Sequence, residues 1–314
     1  MSEDTETVSV QGREFQRTSL DEGVYYAPVA FDDREESRLT AQHEIVSRIF
    51  GDGLFSPRIP VGEPEAILEC GYGGGDWAVQ CADEFEDCEV TALDIFPMQM
   101  DRPENLDLVA HNLNDPLRDP DIFKANHYDL IHSRFVFPGI KSGRWNGYIR
   151  DMRLLLRPGG WVQIMEYLPI IQSHNGRLTD ENAVRRWWQE YQGAMGDMDR
   201  DPRIGRRLKR LLLDNRYRDV DVDIVQLHIG DWSKNETQAS IGRDSVEVRM
   251  RPGHRRWICA DYASSVQMIG DLLESLGLWP FTSKLGWAAA QFEDLMREVR
   301  AELQNVDLNL YIEL

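Results

Sequence analysis

Between Glu65 and Phe85 the chain runs EAILECGYGGGDWAVQCADEF: a short apolar stretch, glycines at 71, 73, 74 and 75, then Trp77, Cys81 and Phe85 at steps of four. Apolar run, glycine turn and helical period, in that order, predict a strand, a tight turn and a helix. A strand that feeds a helix through glycines commits the chain to a sheet that receives ligands on that turn. Dinucleotide folds place a third glycine on the helix of G-x-G-x-x-G and seat a pyrophosphate at the helix N-terminus. Here Gly71 and Gly73 are followed by Asp76 at that third position, and its carboxylate repels a diphosphate. A P-loop is excluded too, since no Lys-Ser/Thr pair follows. What remains is E-x-G-x-G-x-G, from Glu69 through Gly71, Gly73 and Gly75, with an acid closing the strand.

Strand and helix alternate through the first half of the chain. Asp32 or Asp33 can cap a helix in which Leu39, Val46, Ile49 and Phe50 recur until Gly51. Further strands are expected at 90–95, where Asp94 marks the end, at 106–110 leading to Asn112, at 128–137 and at 161–167. A helix between Trp145 and Leu156 is stopped by Pro158, Gly159 and Gly160. This alternation implies right-handed crossovers and a doubly wound α/β sheet, parallel and covered on both faces. Such sheets bind ligands beyond the carboxyl ends of their strands, so the expected site is lined by residues 71–75, Asp94, Asn112, residues 132–134 and Glu166.

Residues 176–215 carry two more helical patterns, one with Trp187, Trp188 and Tyr191, and are expected to form a cap over the sheet. Alternation at 220–229 predicts a sixth strand, and 308–314 a last one. Residues 248–267 interrupt an amphipathic pattern that would otherwise join 241–247 to 268–278, so they are expected as an exposed or disordered insertion. Residues 1–20 are polar and without sustained period, which predicts a flexible tail ahead of one domain over 21–314.

A ligand suited to the glycine turn lacks phosphate and carries positive charge. S-adenosylmethionine has both properties. Glu69 offers a negative field to its ammonium, the Gly71 region offers carbonyls and close backbone approach, and Asp94 can accept both ribose hydroxyls. Asn112 and Leu113 would meet the adenine edge and face, with Tyr72, Gly73, Ile95 and Ser133 beside them. The bland alternative is a turn needed for packing alone, with Glu69 a solvated acid; the recurrence of an acid at the end of the next strand speaks against it.

On these residues the chain resembles class I methyltransferases, and more closely the fungal LaeA-like or TAM-domain group. The matching segments are DDREESRLTAQHEI (32–45), ILECGYGGGDWAVQCADEF (67–85), VTALDIFPMQ (90–99), YDLIHSRFVF (128–137) and LLRPGGWVQIMEY (155–167). The resemblance implies a Rossmann-like seven-stranded sheet with an antiparallel last strand, S-adenosylmethionine as cofactor with S-adenosylhomocysteine as product, and cofactor roles for Glu69, Gly71, Gly73, Asp94, Asn112 and Leu113. It also places a lid before the first helix, where Tyr25 and Tyr26 stand. Glu69 replaces the commoner Asp, while Tyr72 and Gly74 replace the usual threonines.

Methyl transfer is an in-line displacement at an activated carbon, so positioning the nucleophile supplies most of the acceleration and a base is optional. For a hydroxyl acceptor, His132 or His174 could serve as base; for a carboxylate, Arg134 could orient it. Each has a bland alternative, a hydrogen-bonded histidine or a structural ion pair. Tyr167, Trp187, Trp188 and Tyr191 could line an acceptor pocket, although an aromatic helix stripe is more often core.

Charge and cysteine usage narrow the partners. Lys and Arg total 35 against 54 Asp and Glu, a formal charge of −19 that disfavours nucleic acid and anionic lipid. The basic run at 203–218 has its apolar residues at helical spacing with the charges opposite, as on a solvated helix face. Cys70, Cys81, Cys88 and Cys259 form no CxxC pair, so neither a metal site nor a disulfide framework is expected. No apolar run has the roughly 18 residues of a membrane span, and MSEDTETVSV lacks the charge pattern of a secretory signal. A cytoplasmic enzyme acting on a small molecule is the expectation. The alternatives are a nuclear LaeA-like regulatory subunit bound to velvet-type partners, and a binding fold that has lost transfer.

Overall fold

The computed structural model describes residues 6–29, 32–96, 98, 100–232 and 265–314. Its centre is a five-stranded parallel sheet. Ala66–Cys70 (β3) lies between Glu89–Asp94 (β4) and Tyr128–Arg134 (β6), with Leu106–Ala110 (β5) outside β4 and Leu156–Met165 (β7) outside β6. The order β5-β4-β3-β6-β7 reverses beside β3, which opens a crevice at the glycine turn. All five residues of β3 are buried, as a strand covered on both faces requires.

The seven-stranded order continues through a bend. After Glu166 and Tyr167 the chain resumes as Leu168–Ser173 (β8), which pairs with Leu310–Glu313 (β10), and β10 pairs with Gln226–His228 (β9). Counting β7 and β8 as one bent strand, the sheet has its antiparallel member in β10. The Glu166 carboxylate sits at the bend and accepts the Val136 and Phe137 amides at 3.0 and 3.3 Å.

Most of the helices form where the periodicity places them, while 289–303 carries one that the sequence reading did not name. Asp33–Ile49 (α2) starts at Asp32, whose carboxylate accepts the Glu35 amide at 3.1 Å. Asp76–Glu84 (α3) follows the turn, and Trp145–Leu155 (α4) ends before Pro158. Ala183–Asp197 (α5) and Gly205–Asp214 (α6) form at the two helical patterns within 176–215, and Ser265–Trp279 (α7) and Ala289–Leu303 (α8) complete the second half.

Two expectations differ from the structure, and a third falls almost wholly outside the described residues. Within 1–20, Thr7–Val10 (β1) and Arg13–Gln16 (β2) form a hairpin through Gln11 and Gly12, both at positive φ, and Arg17–Asp21 (α1) follows. The hairpin is anchored by Phe15, fully buried against Trp279 at 6.0 Å between ring centroids. A single aromatic anchor and a buried ion pair leave no periodic signal in a short segment. The expected strand at 220–229 narrows to β9, because β10 offers a ladder only to Val225–His228, and Val222 and Ile224 stay exposed at 51% and 68%. The expected insertion at 248–267 lies outside the described residues except for 265–267, which open α7; Ser265 is buried there and donates to the His228 carbonyl at 3.0 Å.

Asp32 joins hairpin to helix: it accepts from Arg13 Nε at 2.7 Å and from the Glu14 amide at 3.1 Å while capping α2. Arg13 is buried as well. Asp32→Ala removes the cap and the nearer of the two carboxylates on Arg13, leaving it Glu35 at 3.3 Å, so urea unfolding should show a loss of about 2 kcal/mol. Asp33→Ala, at an exposed position, should change stability by less than about 0.5 kcal/mol.

Candidate cofactor and acceptor site

The turn between β3 and α3 closes by approaching β4. Gly71 and Tyr72 both donate their amides to the Leu93 carbonyl, at 2.7 and 3.1 Å. Gly71 (φ +84°) and Gly75 (φ +84°) take the left-handed conformation that only glycine adopts without strain. Space forbids a side chain as well: a Cβ on Gly71 would land on Val136 Cγ1, and one on Gly75 would lie 2.6 Å from Met100 Cε. Gly73 donates its amide to Asp94 Oδ2 at 2.9 Å, and the Phe96 amide reaches Asp94 Oδ1 at 3.1 Å. Tyr72 adds a second tie, donating to the Phe96 carbonyl at 3.2 Å and accepting from the Met98 amide at 2.9 Å.

A cavity with about 1290 Å³ of empty space, partly open to solvent, lies over this turn. Its floor is residues 71–74 with Asp76, and its near wall is residues 94–96 and 111–113. Val24, Tyr25 and residues 27–29 cover it, α2 contributes Glu35, Arg38, Leu39 and Gln42, and Tyr167 with Leu272, Ser275 and Leu276 forms the far wall. The cover is pinned by Arg200, buried at 2% exposure, which donates to the carbonyls of Gly23 and Val24 (2.8 Å each) and of Pro138 (3.0 Å).

Three acids surround the turn. Burial pushes Glu69 up to about 8, with Arg134 opposing, and pushes Asp76 and Asp94 up to about 6. Glu69 Oε2 is buried without a hydrogen-bond partner, and Oε1 lies 3.8 Å from His132 Nδ1. Arg134 lines the cavity and directs its two terminal nitrogens at His43 Nδ1, at 3.4 and 3.5 Å. His43 is held neutral, its value lowered to about 4 by burial and by Arg134. Its Nδ1 therefore accepts from the guanidinium and its Nε2–H donates to Gln80 Oε1 at 2.9 Å. Arg38, buried on α2, pairs with Glu35 at 2.6 Å and donates to Gln42 at 2.8 Å.

The structure gathers most of the expected cofactor residues and disperses the expected bases. Gly71, Tyr72, Gly73, Asp94, Ile95, Asn112 and Leu113 line the cavity, as do Tyr25, Arg134 and Tyr167. Glu69 and Ser133 stand behind its floor, Ser133 hydrogen-bonded to Tyr148 at 2.9 Å. His132 does not reach the cavity: it is buried in β6 and stacked on Trp77, ring centroids 4.0 Å apart. His174 belongs to the second sheet, in an aromatic cluster with His228, Trp232 and Tyr311. Trp187, Trp188 and Tyr191 are core: Trp187 stacks on Tyr191 and Phe281, because α5 packs on β8 and α8 rather than over the turn. Tyr26 lies under Arg200, outside the lining. Among the residues that close the cavity without having been expected are Arg38 and Gln42 on α2, His111, and Leu272, Ser275 and Leu276 on α7. The helical period of α2 and α7 was visible; which face of each meets the turn was not.

A profile of the methyltransferase domain family matches residues 43–220, more than half of the chain. The chain belongs to that family. It is 26% identical over 296 residues to the secondary metabolism regulator laeA of Monascus pilosus, covering 92% of this chain and 71% of the relative. Against methyltransferase str3 of Strobilurus tenacellus it is 32% identical over 200 residues, covering 63% and 68%. Among solved structures, a phosphoethanolamine N-methyltransferase 2 of Haemonchus contortus has a TM-score of 0.43 at 14% identity; the match covers 90% of this chain and spans 58% of that one. The protein is an S-adenosylmethionine-dependent methyltransferase, similar along most of its length to the regulator laeA. Its site fits that cofactor: the glycine turn and Asp94 line the cavity, Asp76 makes its floor acidic, and the orphaned carboxylate oxygen of Glu69 lies behind that floor.

Two outcomes test this geometry. Gly71→Ala should abolish binding of S-adenosylhomocysteine in calorimetry and lower the thermal midpoint, since both φ and Val136 oppose the added methyl. The second concerns pH. Glu69 and Glu166 both titrate near 8 through burial, so the folded protein keeps protons that the unfolded chain has already released, and stability falls as pH rises. The lowered His43 gives the opposite slope only below its ordinary 6.5. Between about pH 7 and 8.5 the thermal midpoint of the ligand-free protein should therefore drop, and Glu69→Gln should flatten the drop. A flat wild-type profile in that window would remove the case for a protonated Glu69.

Proposed function

We propose that this methyltransferase transfers a methyl group to a small-molecule acceptor of fungal secondary metabolism. The observation that carries the reading is the continuity of the cavity, from the acidic turn at Gly71–Asp76 to a far wall of Tyr167, Leu272 and Leu276. A pocket that is polar at one end and largely apolar at the other suits a nucleoside beside a compact organic acceptor. The names of relatives agree: methyltransferase str3, and methyltransferase pytC of Aspergillus terreus, 26% identical over 306 residues.

Bound S-adenosylmethionine supplies a methyl group on a sulfonium, a carbon that needs no acid to become electrophilic. The chain's own residues do the rest by placement. Asp94, with one oxygen on the Gly73 amide and the other on the Phe96 amide, presents its remaining lone pairs to the ribose hydroxyls. Ionised Glu69 stabilises positive charge over the turn, so cofactor affinity should rise as pH passes from about 6 to 8. Asn112 and Leu113 meet the adenine, with Ile95 and Tyr72 packing beside it. The segment at 24–29, fixed by Arg200, excludes water, and Tyr25, Arg38 and Tyr167 hold the acceptor against the far wall. Positioning of this kind contributes most of the rate when the electrophile is already activated.

A regulatory role with velvet-type partners, in the nucleus rather than the cytoplasm, is the second reading; it is favoured by the match to the regulator laeA along 92% of this chain. Incubation with labelled S-adenosylmethionine and a fungal metabolite extract separates the two. A labelled small molecule is expected; label on protein alone would favour the regulatory reading. Asp94→Asn should weaken S-adenosylhomocysteine binding roughly 10- to 100-fold. Leu272→Trp, which fills the far end, should lower kcat/KM for the acceptor while calorimetry shows cofactor affinity within about 2-fold of wild type.

A further inference from the structure

Outside the cavity, α4 and α6 pack on each other, and each turns a basic face outward. On α4 that face is Arg150, Arg153 and Leu154, with Arg157 just past the helix; on α6 it is Arg206, Lys209, Arg210 and Leu213. Both sets fall at i, i+3, i+4 and i+7, the spacing of a single helix face. The other sides of the helices are core, with Tyr148, Met152 and Leu155 buried on α4 and Leu208 on α6. Each basic face carries one leucine, Leu154 at 43% exposure and Leu213 at 49%. A single exposed leucine signifies little. Two on adjoining faces, both set among cations, form a surface that is apolar and positive at once.

The faces are joined where α6 ends. Asn215 donates to Asn146 Oδ1 at 2.9 Å, and the Tyr217 hydroxyl donates to the Ile149 carbonyl at 3.1 Å. Between these two ties Arg216 takes a positive φ of 65°, a conformation that glycine or asparagine adopts at a helix end with less strain. Arg216 and Arg218 stand exposed on either side of Tyr217. Burial raises the Tyr217 hydroxyl, and Arg153 is near enough to pull it back.

Positive charge here exceeds its acids. Residues 203–218 hold seven Lys and Arg against Asp214 alone, and residues 141–157 hold five against Asp151 alone. Asp151 is buried among three arginines, Arg144 at 2.8 Å, Arg118 at 3.0 Å and Arg150 at 3.8 Å, while Asp214 is held by Arg210 at 2.8 Å. Arg153, Lys209, Arg216 and Arg218 have no ion-pair partner among the described residues. In a chain of net charge −19 this is a local reversal of sign.

We propose that the joined outward faces of α4 and α6 are a docking surface for a segment of a partner protein in which Asp or Glu residues are interleaved with large apolar ones. Guanidinium forks pair with carboxylates, and Leu154 and Leu213 cover the partner's apolar side chains. Nucleic acid would leave the leucines unused. An anionic membrane would bury them, but it meets the repulsive field of the whole chain over a wide area, whereas a short acidic segment engages the local patch alone. None of these residues lines the cavity, so the inference holds whatever the acceptor.

Fluorescence anisotropy on the full chain at low salt tests it with a short labelled peptide of Glu and Leu, leucines at helical spacing, and with the same peptide carrying Ser for every Leu. The Glu/Leu peptide should bind, and the Glu/Ser peptide roughly 10-fold more weakly or worse. Combining Arg153→Glu, Lys209→Glu and Arg216→Glu should weaken the Glu/Leu peptide roughly 10- to 100-fold, with a thermal midpoint near that of the wild type. Leu213→Ser alone should cost roughly 3- to 10-fold and decides the matter if the triple variant does not fold. A single-stranded RNA and phosphatidylserine-containing vesicles complete the comparison. The proposal is overturned if the wild type binds neither peptide, if it binds both equally, if the variants leave the affinity unchanged, or if RNA or vesicles bind as tightly as the Glu/Leu peptide.

Discussion

Everything at the site follows from the close approach of the turn after β3 to the end of β4 and to Val136. Gly71 and Tyr72 share the Leu93 carbonyl, and Val136 fills the space where a Cβ on Gly71 would stand. That contact sets Asp94 under the Gly73 amide and brings the turn beneath the cavity. Val136 is itself held by Glu166, which accepts two successive amides at the bend between β7 and β8. Phe135, just before it, is forced to a positive φ of 58° and stacks on Tyr167 at 4.1 Å. Backbone strain at a strand end that lines a ligand cavity is a recurrent cost of shaping such a site.

Electrostatics divides the molecule's strong negative charge into two uses. Spread over the surface, a formal charge of −19 repels polyanions. At the turn, burial raises Asp76 and Asp94 to about 6, which leaves them ionised at neutral pH, and Glu69 to about 8, so that Glu69 is the acid poised to ionise when a cation arrives. The arginines that reach the interior are placed with equal economy. Arg13 and Arg38 are paired with Asp32 and Glu35, which welds the hairpin to α2, and Ser275 donates to the same Glu35 at 2.8 Å, which extends the network to α7. Arg200 carries its charge into a ring of carbonyls and so locks the cover without a carboxylate.

The aromatic residues show how far composition can mislead about a pocket. Trp187, Trp188 and Tyr191 have the size and the spacing to line an acceptor site, yet they fill the seam between α5, β8 and α8. His132, at the end of the right strand, turns behind the sheet onto Trp77 instead of forward. In both cases the apolar area gained by burial outweighs what a solvent-lined pocket would offer the same ring.

The amino-acid sequence by itself determined the turn, the strand ends and the cap of α2, because each depends on neighbours a few residues away. Glycines permit left-handed φ, apolar runs of five or six make buried strands, and Asp32 caps the helix that follows it. Hence Gly71, Gly73, Asp94 and Asn112 were legible before any coordinates. The tertiary structure alone decided what lies across from them: that Phe15 and Arg13 give the first residues a fold, that Leu272 and Ser275 wall the cavity although Ser275 and its partner Glu35 stand 240 residues apart, and that Arg134 faces inward while His132 does not. Those facts depend on which faces of distant elements meet, and the free energy that settles them is burial summed over the whole core, which no local pattern encodes.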